Sequence, residues 1–315
     1  GGSSRRSGDI YIQQPNGKFE TLELKPWLQD FRSEDSGACF FDIDNDNDLD
    51  LYVVSGSNEF DVNSLTYQDR LYINDGKGGF IRSNDLPMLR DSGSVAIAKD
   101  FDNDGDMDLF VGGRLVPGKY PSPATSRLLR NDSGKLTDIT SEVAAEFINL
   151  GMVTDAVWTD FNSDGNMDLI VVGEWMPVTF FLNDKGMFKN VTDQYGDSKK
   201  IGWWFSIVAN DFDSDGDDDY VVGNLGLNYK YKASDDEPFD IYYNDFDLNG
   251  NGDIVLGYNV DGKSFPVRGR ECSSQQIPSI KETFTNYQSF AVADLFDVYG
   301  KSNLNSSLHY SATTF

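Results

Sequence analysis

The chain is poor in the residues from which most metalloenzymes and disulfide scaffolds are built. Its 315 residues include one histidine and two cysteines. With His309 alone, a histidine-ligated zinc site or a Ser-His-Asp triad has little to draw on. Two cysteines cannot make a disulfide framework. Cys39 lies in the apolar run ACFF, where a small buried side chain is expected, and Cys272 lies outside the repeats described below; a bond between them stays open. Basic residues are also scarce, 26 Lys and Arg against 52 Asp and Glu, for a net charge of −26. A surface of that sign does not displace counterions from phosphates, which argues against nucleic acid as a partner. No apolar run is long enough to cross a membrane and no secretory leader is visible, so an export signal or membrane anchor is expected only in flanking regions.

What the chain has in excess is aspartate, gathered into five nine-residue loops of one pattern. Oxygen-bearing side chains fall at positions 1, 3, 5, 7 and 9. They are Asp42, Asp44, Asp46, Asp48 and Asp50 in the first loop, and Asp100, Asp102, Asp104, Asp106 and Asp108 in the second. The third has Asp160, Asn162, Asp164, Asn166 and Asp168; the fourth Asp211, Asp213, Asp215, Asp217 and Asp219; the fifth Asp245, Asp247, Asn249, Asn251 and Asp253. Such alternation around a sharp central turn wraps a hard cation in oxygens at about 2.3–2.6 Å, which predicts one Ca²⁺ per loop, about five in all. Positions 1, 3 and 5 are expected to give side-chain oxygens, position 7 its carbonyl, and position 9 a carboxylate binding through both oxygens. Glycine at position 6 permits the turn, and Asn47, which replaces it in the first loop, tolerates the same left-handed backbone. Asn162 and Asn249 keep an oxygen but lose a charge, so their sites should be weaker. An EF-hand would need Glu at position 12; here that position is Val53, Val111, Val171, Val222 or Leu256. The loops hold 22 of the 52 acidic residues, so much of the acidity is ligand. Weak, multiple calcium sites suit the millimolar calcium found outside cells, which places the protein there or on a cell surface.

Each loop is entered by an apolar strand (36–41, 94–99, 154–159, 205–210) and left by a second one ending in small residues. Hairpins marked by Asn-Asp and Gly follow at 70–81, 126–137 and 179–192. Four strands per unit predict an all-β fold, a β-propeller of six or seven blades that this chain need not complete. The repeats are expected at about 36–93, 94–153, 154–204, 205–238 and 239–278, within a single domain over 1–315. Residues 1–35 read as a partial blade: Gly1-Gly2 followed by DIYIQQPNGKFETL has the order of GGR (112–114) followed by the second hairpin, with a calcium loop expected upstream. Residues 279–315 read as irregular, with one or two short helices in 279–300 from apolar spacing at Ile280, Phe284, Tyr287, Ala291, Leu295 and Val298, then a strand start at HYSATTF.

With loops and hairpins placed, the chain resembles the FG-GAP/VCBS repeat family, whose calcium loops occur in the integrin α-subunit propeller. The likeness covers roughly residues 9–257. Within that family it is most similar to large VCBS-repeat proteins of Bacteroidetes-type bacteria that carry an ASPIC/UnbV domain and are similar to cartilage acidic protein, through SGSNEF (55–60), VGGRLVPGKYP (111–121), VGEWMP (172–177), GNLGLN (223–228) and GRECSSQQIPSIK (269–281). The resemblance implies a surface-located calcium propeller, in many cases lipid-anchored and outer-membrane-associated in bacteria.

The ends of the second strands lie at the rim opposite the calcium loops. They carry Asn58, Glu59, Arg114, Glu174, Trp175, Asn224 and Asn228, polar and aromatic groups suited to a polar ligand, with packing as the competing role. Trp203 and Trp204 approach from the same rim, and core packing outweighs sugar stacking for them. Asn131, Asn190 and Asn305 open N-x-S/T sequons. Three functions follow. One is a non-catalytic binding or adhesion module for a glycan or protein. A second is a calcium-dependent polysaccharide lyase or hydrolase recruiting Glu59, Glu174, Arg114 and Arg268, although no spacing singles these out as catalytic. The third is an accessory subunit docking to an outer-membrane complex through insertions such as 113–126 and 226–239.

Overall fold

A computed structural model describes residues 5–315; the expected role of Gly1-Gly2 lies outside the described residues. The chain opens with a hairpin of β1 (Tyr11–Gln13) and β2 (Phe19–Thr21), followed by a short 3-10 helix (Pro26–Asp30) that buries Trp27. Three four-stranded antiparallel units come next. The first is β3 (Asp35–Phe41), β4 (Asp50–Ser55), β5 (Arg70–Asn74) and β6 (Phe80–Arg82). The second is β7 (Ser92–Lys99), β8 (Asp108–Leu115), β9 (Arg127–Asn131) and β10 (Leu136–Asp138). The third is β11 (Met152–Thr159), β12 (Asp168–Met176), β13 (Thr179–Asp184) and β14 (Met187–Asn190). Each is a meander with the Asp loop between its first two strands, as the apolar runs and Asn-Asp turns predict.

The pairing of sequence period with sheet faces explains the core. In each unit, side chains three residues before the loop, at loop position 2, and two residues past its last Asp point forward onto the next sheet. Cys39, Ile43 and Tyr52 do so from the first unit, Ile97, Phe101 and Phe110 from the second, and Val157, Phe161 and Ile170 from the third. They meet the backward-facing set of the following sheet, such as Ala96, Leu109 and Val111 or Ala156, Leu169 and Val171. Second strands are therefore covered on both faces, and β4 is buried along its whole length. Successive four-stranded sheets packed face to face form an all-β fold consistent with an FG-GAP β-propeller.

Beyond residue 201 the regular succession of four-stranded units ends, where the 34 residues between the fourth and fifth loop starts, Asp211 and Asp245, leave little room for a full blade. Strands β15 (Gly202–Asn210) and β16 (Asp219–Asn224) have no hairpin of their own; β15 joins the third sheet through Glu174↔Trp203 and Met176↔Gly202. Residues 225–238, where a hairpin would stand, form no strand; Leu225, Tyr229 and Tyr231 pack against the core around Phe239, and the segment leads to a separate sheet of β17 (Phe239–Asn244), β18 (Asp253–Val260) and β19 (Lys263–Pro266). That sheet is completed at the β17 edge by β20 (Leu308–Ala312), the strand that begins at the predicted place. Between β19 and β20 the chain forms five short helices spanning Arg270 to Asn305, more than predicted and starting earlier. Pro278 and Gly300 interrupt the run, and Asn286 and Asp294 cap new starts. Ile277, Ile280, Phe290, Leu295, Tyr299 and Leu304 pack from this segment onto Tyr242 and Val255. Cys39 and Cys272 are both free thiols, which closes the pairing left open above.

One buried polar cluster sits in the first unit. Asp69 is fully enclosed, accepting from the Tyr52 hydroxyl at 2.7 Å and from the Ser55 N–H at 2.7 Å, and burial pushes its carboxyl up to about 7. A carboxyl raised above its unfolded value stabilises the fold while protonated and loses that contribution as pH rises through the folded value. Asp69→Asn is therefore expected to flatten the stability profile between about pH 4 and 7, by up to about 4 kcal/mol. Denaturant titrations of both proteins across that range measure it, and parallel profiles would contradict it.

Candidate metal centres and the opposite rim

The five loops share one hydrogen-bond plan. The position 1 carboxylate accepts from the N–H of position 6 in every loop: Asn47 on Asp42 at 3.0 Å, Gly105 on Asp100 at 3.0 Å, Gly165 on Asp160 at 2.8 Å, Gly216 on Asp211 at 3.1 Å and Gly250 on Asp245 at 2.8 Å. Position 6 is left-handed throughout, including Asn47 at φ 70°. A second left-handed residue, which the sequence reading missed, stands at position 4: Asn45, Asn103, Ser163, Ser214 and Leu248. Asn, found there in two loops, is a residue type that tolerates it; Ser163, Ser214 and Leu248 adopt the same backbone without that preference.

Position 9 does more than predicted. Asp50 accepts from the N–H groups of Ile43 and Asn74, and Asp108 from those of Phe101 and Asn131. Each thus ties its loop to the hairpin of its own unit. The hairpin asparagines then reach the preceding unit, where Asn131 Nδ2 donates to the Ile43 carbonyl and Asn183 Nδ2 to the Phe101 carbonyl, both at 2.8 Å. Asn131 is thereby buried, so its sequon serves this clamp. The repeated Asn-Asp dipeptides at 74, 131 and 183 were legible as turns but not as clamps.

Positions 1, 3 and 9 converge. The carboxylates of Asp42, Asp44 and Asp50 lie within 4.8 Å of one another, as do those of Asp100, Asp102 and Asp108, of Asp211, Asp213 and Asp219, and of Asp245, Asp247 and Asp253. In the third loop Asn162 stands at position 3, leaving carboxylates at Asp160 and Asp168. Position 5, expected as a ligand, also closes a turn on the N–H of position 7, as Asp104 does on Asp106 at 2.9 Å and Asn249 on Asn251 at 2.8 Å. Position 7 side chains can turn outward: Asp106 accepts from Asn45 Nδ2 and from the Ser133 N–H.

These clusters fit a cation on two grounds. Buried carboxylate oxygens of Asp48, Asp100 and Asp168 have no hydrogen-bond partner, and an unmatched buried anion is costly unless a cation supplies its counter-charge. The donors are also all oxygens, the set that hard divalent ions select. Burial, backed by neighbouring carboxylates and opposed by the backbone donors, raises Asp108 to about 7 and Asp168 to about 6. Protonation is what relieves the crowding when no ion does.

At the other ends of the same strands lies a groove of about 460 Å³ lined by Ser57, Asn58, Ser94, Arg114, Thr154 and Phe205 among others. Ser36, Ser94, Thr154 and Phe205 occupy equivalent positions in their units, each at a register shift of the entering strand. The bulge turns these side chains inward, and Ser94 and Thr154 hydroxyls lie 2.7 Å from the Val153 and Trp204 carbonyls of the next unit.

Of the residues expected on this rim, only some meet. Asn58 and Arg114 line the groove, and Asn58 Oδ1 accepts from the Gly118 N–H. Arg114 Nη2 pairs with Glu174 Oε1 at 2.6 Å, and the Tyr120 hydroxyl, which the sequence reading overlooked, donates to Glu174 Oε2 at 2.8 Å. Trp175 is corrected from ligand anchor to core residue: it is 3% exposed, and its Nε1 donates to the Tyr120 oxygen at 2.6 Å. Trp203 also packs, against Trp175, Phe239 and Phe315. Asn224 Oδ1 accepts from the Leu225 N–H, Asn228 is exposed in the following turn, and Arg268 pairs with Gln276 at 2.6 Å beside the helical segment. Glu59, with its N–H donating to the Ser57 hydroxyl, is exposed next to the groove residues Ser57 and Asn58.

Repeated Asp loops, each followed by a strand, decide the family comparison. A profile described as FG-GAP-like repeat matches residues 42–111 and 160–222, both matches starting at the first Asp of a loop. The chain carries FG-GAP-like repeats. It is also 26% identical over 193 residues to Cartilage acidic protein 1 of Mus musculus, an alignment covering 58% of this chain and 28% of that protein. This FG-GAP repeat chain thus matches just over a quarter of the length of that relative. Among the described residues no helix is long and apolar enough to cross a membrane.

Proposed function

We propose that this FG-GAP repeat protein is a non-catalytic, calcium-stabilised binding or adhesion module working outside the cell or on its surface, with a glycan or protein as ligand. The observation that carries this reading is the convergence of positions 1, 3 and 9 in four loops on the same backbone plan. Calcium accepts a flexible all-oxygen shell and is abundant outside cells, whereas Mg²⁺ demands a tighter octahedron. The ions hold one end of the strands, leaving the opposite groove as a rigid place for a ligand. There Arg114 is held by Glu174, and hydroxyls from three units face the same space.

The test is a glycan array, with acidic and neutral sugars, probed with the wild-type protein and Arg114→Ala. Binding in the groove predicts at least a tenfold loss, about 1.4 kcal/mol, with melting and calcium content nearly unchanged. Undiminished binding by the variant would move the ligand elsewhere. Incubating the same preparation with acidic polysaccharides and assaying chain cleavage tests the enzyme reading directly.

A further inference from the structure

We infer, resting on the calcium reading proposed above, that the cation of the fifth loop and the helical segment 270–305 are coupled through Gln276. This positioning residue ties the segment to the Asp253 carboxylate, so that the segment docks firmly only when the fifth loop is filled. In the first three units the third strand pairs immediately past the loop, at Leu51↔Tyr72, Leu109↔Leu129 and Leu169↔Phe181. There a hairpin N–H reaches the last Asp of the loop: Asn74 on Asp50, Asn131 on Asp108, and Asn183 on Asp168 at 2.7 Å. In the β17 sheet the third strand first pairs at Gly257↔Pro266, farther from Asp253, and a helical residue stands in place of the hairpin asparagine. Gln276, the last residue of the helix Arg270–Gln276, accepts from Arg268 Nη1 through its Oε1 at 2.6 Å and hydrogen-bonds the Asp253 carboxylate with its amide.

Other contacts of the segment fall on the same loop. Asn244, next to the first Asp of the loop, donates through Nδ2 to the Asn303 carbonyl and the Ser306 hydroxyl, both at 3.2 Å. Phe246, at loop position 2, meets Tyr299 at 5.7 Å between ring centroids, the forward contact that Ile43, Phe101 and Phe161 make with sheets. Each helix of the segment has only five to seven residues, too short to hold itself in water, so its order depends on this docking. The carboxylates of Asp245, Asp247 and Asp253 lie within 4.8 Å of one another. Without an ion their repulsion strains the positions, Phe246 and Asp253, on which the segment rests. A cation removes that repulsion, and by reciprocity the docked segment tightens the cation, with Gln276 orienting Asp253 as an outer-shell donor does.

Hydrogen-exchange mass spectrometry of the full 315-residue chain in about 1 mM Ca²⁺ tests this. Asp247→Ala, which removes a fifth-loop carboxylate, should speed exchange across 270–305 by roughly tenfold or more, whereas Asp102→Ala in the second loop should leave that segment as in the wild type. Gln276→Met keeps the side-chain bulk but lacks the donor, and should raise the calcium concentration that half-protects 270–305 by about tenfold. Calcium that binds nowhere on the chain would overturn this inference together with the calcium reading. Calcium that binds and raises melting, with 270–305 exchanging alike in the wild type and Asp247→Ala, would overturn this inference alone, as would Gln276→Met titrating like the wild type.

Discussion

Excess chelator is expected to lower the melting temperature by on the order of 15–25 °C. One ion bound at about 100 times its dissociation constant stabilises the folded state by about 2.7 kcal/mol. Five such loops sum to about the whole stability of a typical domain. The pH dependence provides an internal check on the cause. Without ions, Asp108 titrates near 7 and Asp168 near 6 because they are buried. Both values lie above that of an unfolded aspartate, so protonation stabilises the ion-free fold below the unfolded value, and this contribution is lost as pH rises through 6 to 7. In chelator the protein should therefore melt lower at about pH 8 than at about pH 5. With calcium the order should reverse, because the ion binds only the deprotonated carboxylates. Differential scanning fluorimetry across pH, with and without calcium, measures both slopes. Identical slopes, or melting indifferent to chelator, would remove calcium from the stability of this fold.

The loops were readable because their chemistry is local. An alternation of Asp around a residue that accepts a left-handed backbone needs nothing but its own nine residues, and Asn47 met that need as Gly105 did. The strands beside them were readable because burial on both faces leaves an unbroken apolar run. Tertiary roles were less legible. Nothing within WMP (175–177) reveals that Trp175 will be covered by Phe239, 64 residues later and in another sheet. Nothing around Asn131 distinguishes a turn residue from one that clamps the Ile43 carbonyl of the preceding unit. The break after β16 had a local sign in the 34-residue spacing of the last two loops. Where β17 to β19 would go instead depended on β20 and on five short helices whose apolar residues find a common core only once folded.

Trp175→Ala is expected to destabilise the protein by about 3–5 kcal/mol, the range for removing a large buried aromatic side chain. Trp175 is the joint between the third sheet and the β17 sheet. Its ring stacks on Phe239 at 6.1 Å between centroids and meets Trp203 edge-on at 5.1 Å. Its indole N–H satisfies the Tyr120 oxygen, which in turn positions Glu174 and through it Arg114. Truncation opens a cavity and orphans that oxygen, so melting should fall by roughly 5–15 °C. Calcium content should hold below that temperature, since the loops sit at the opposite ends of the strands. Arg114→Ala should cost only about 1 kcal/mol, because its pair with Glu174 is partly solvent-exposed. The contrast separates packing from recognition on one rim: Trp175 is read in the melting curve and Arg114 in ligand binding. A Trp175→Ala protein that melts like the wild type but binds no ligand would return this residue to the binding surface.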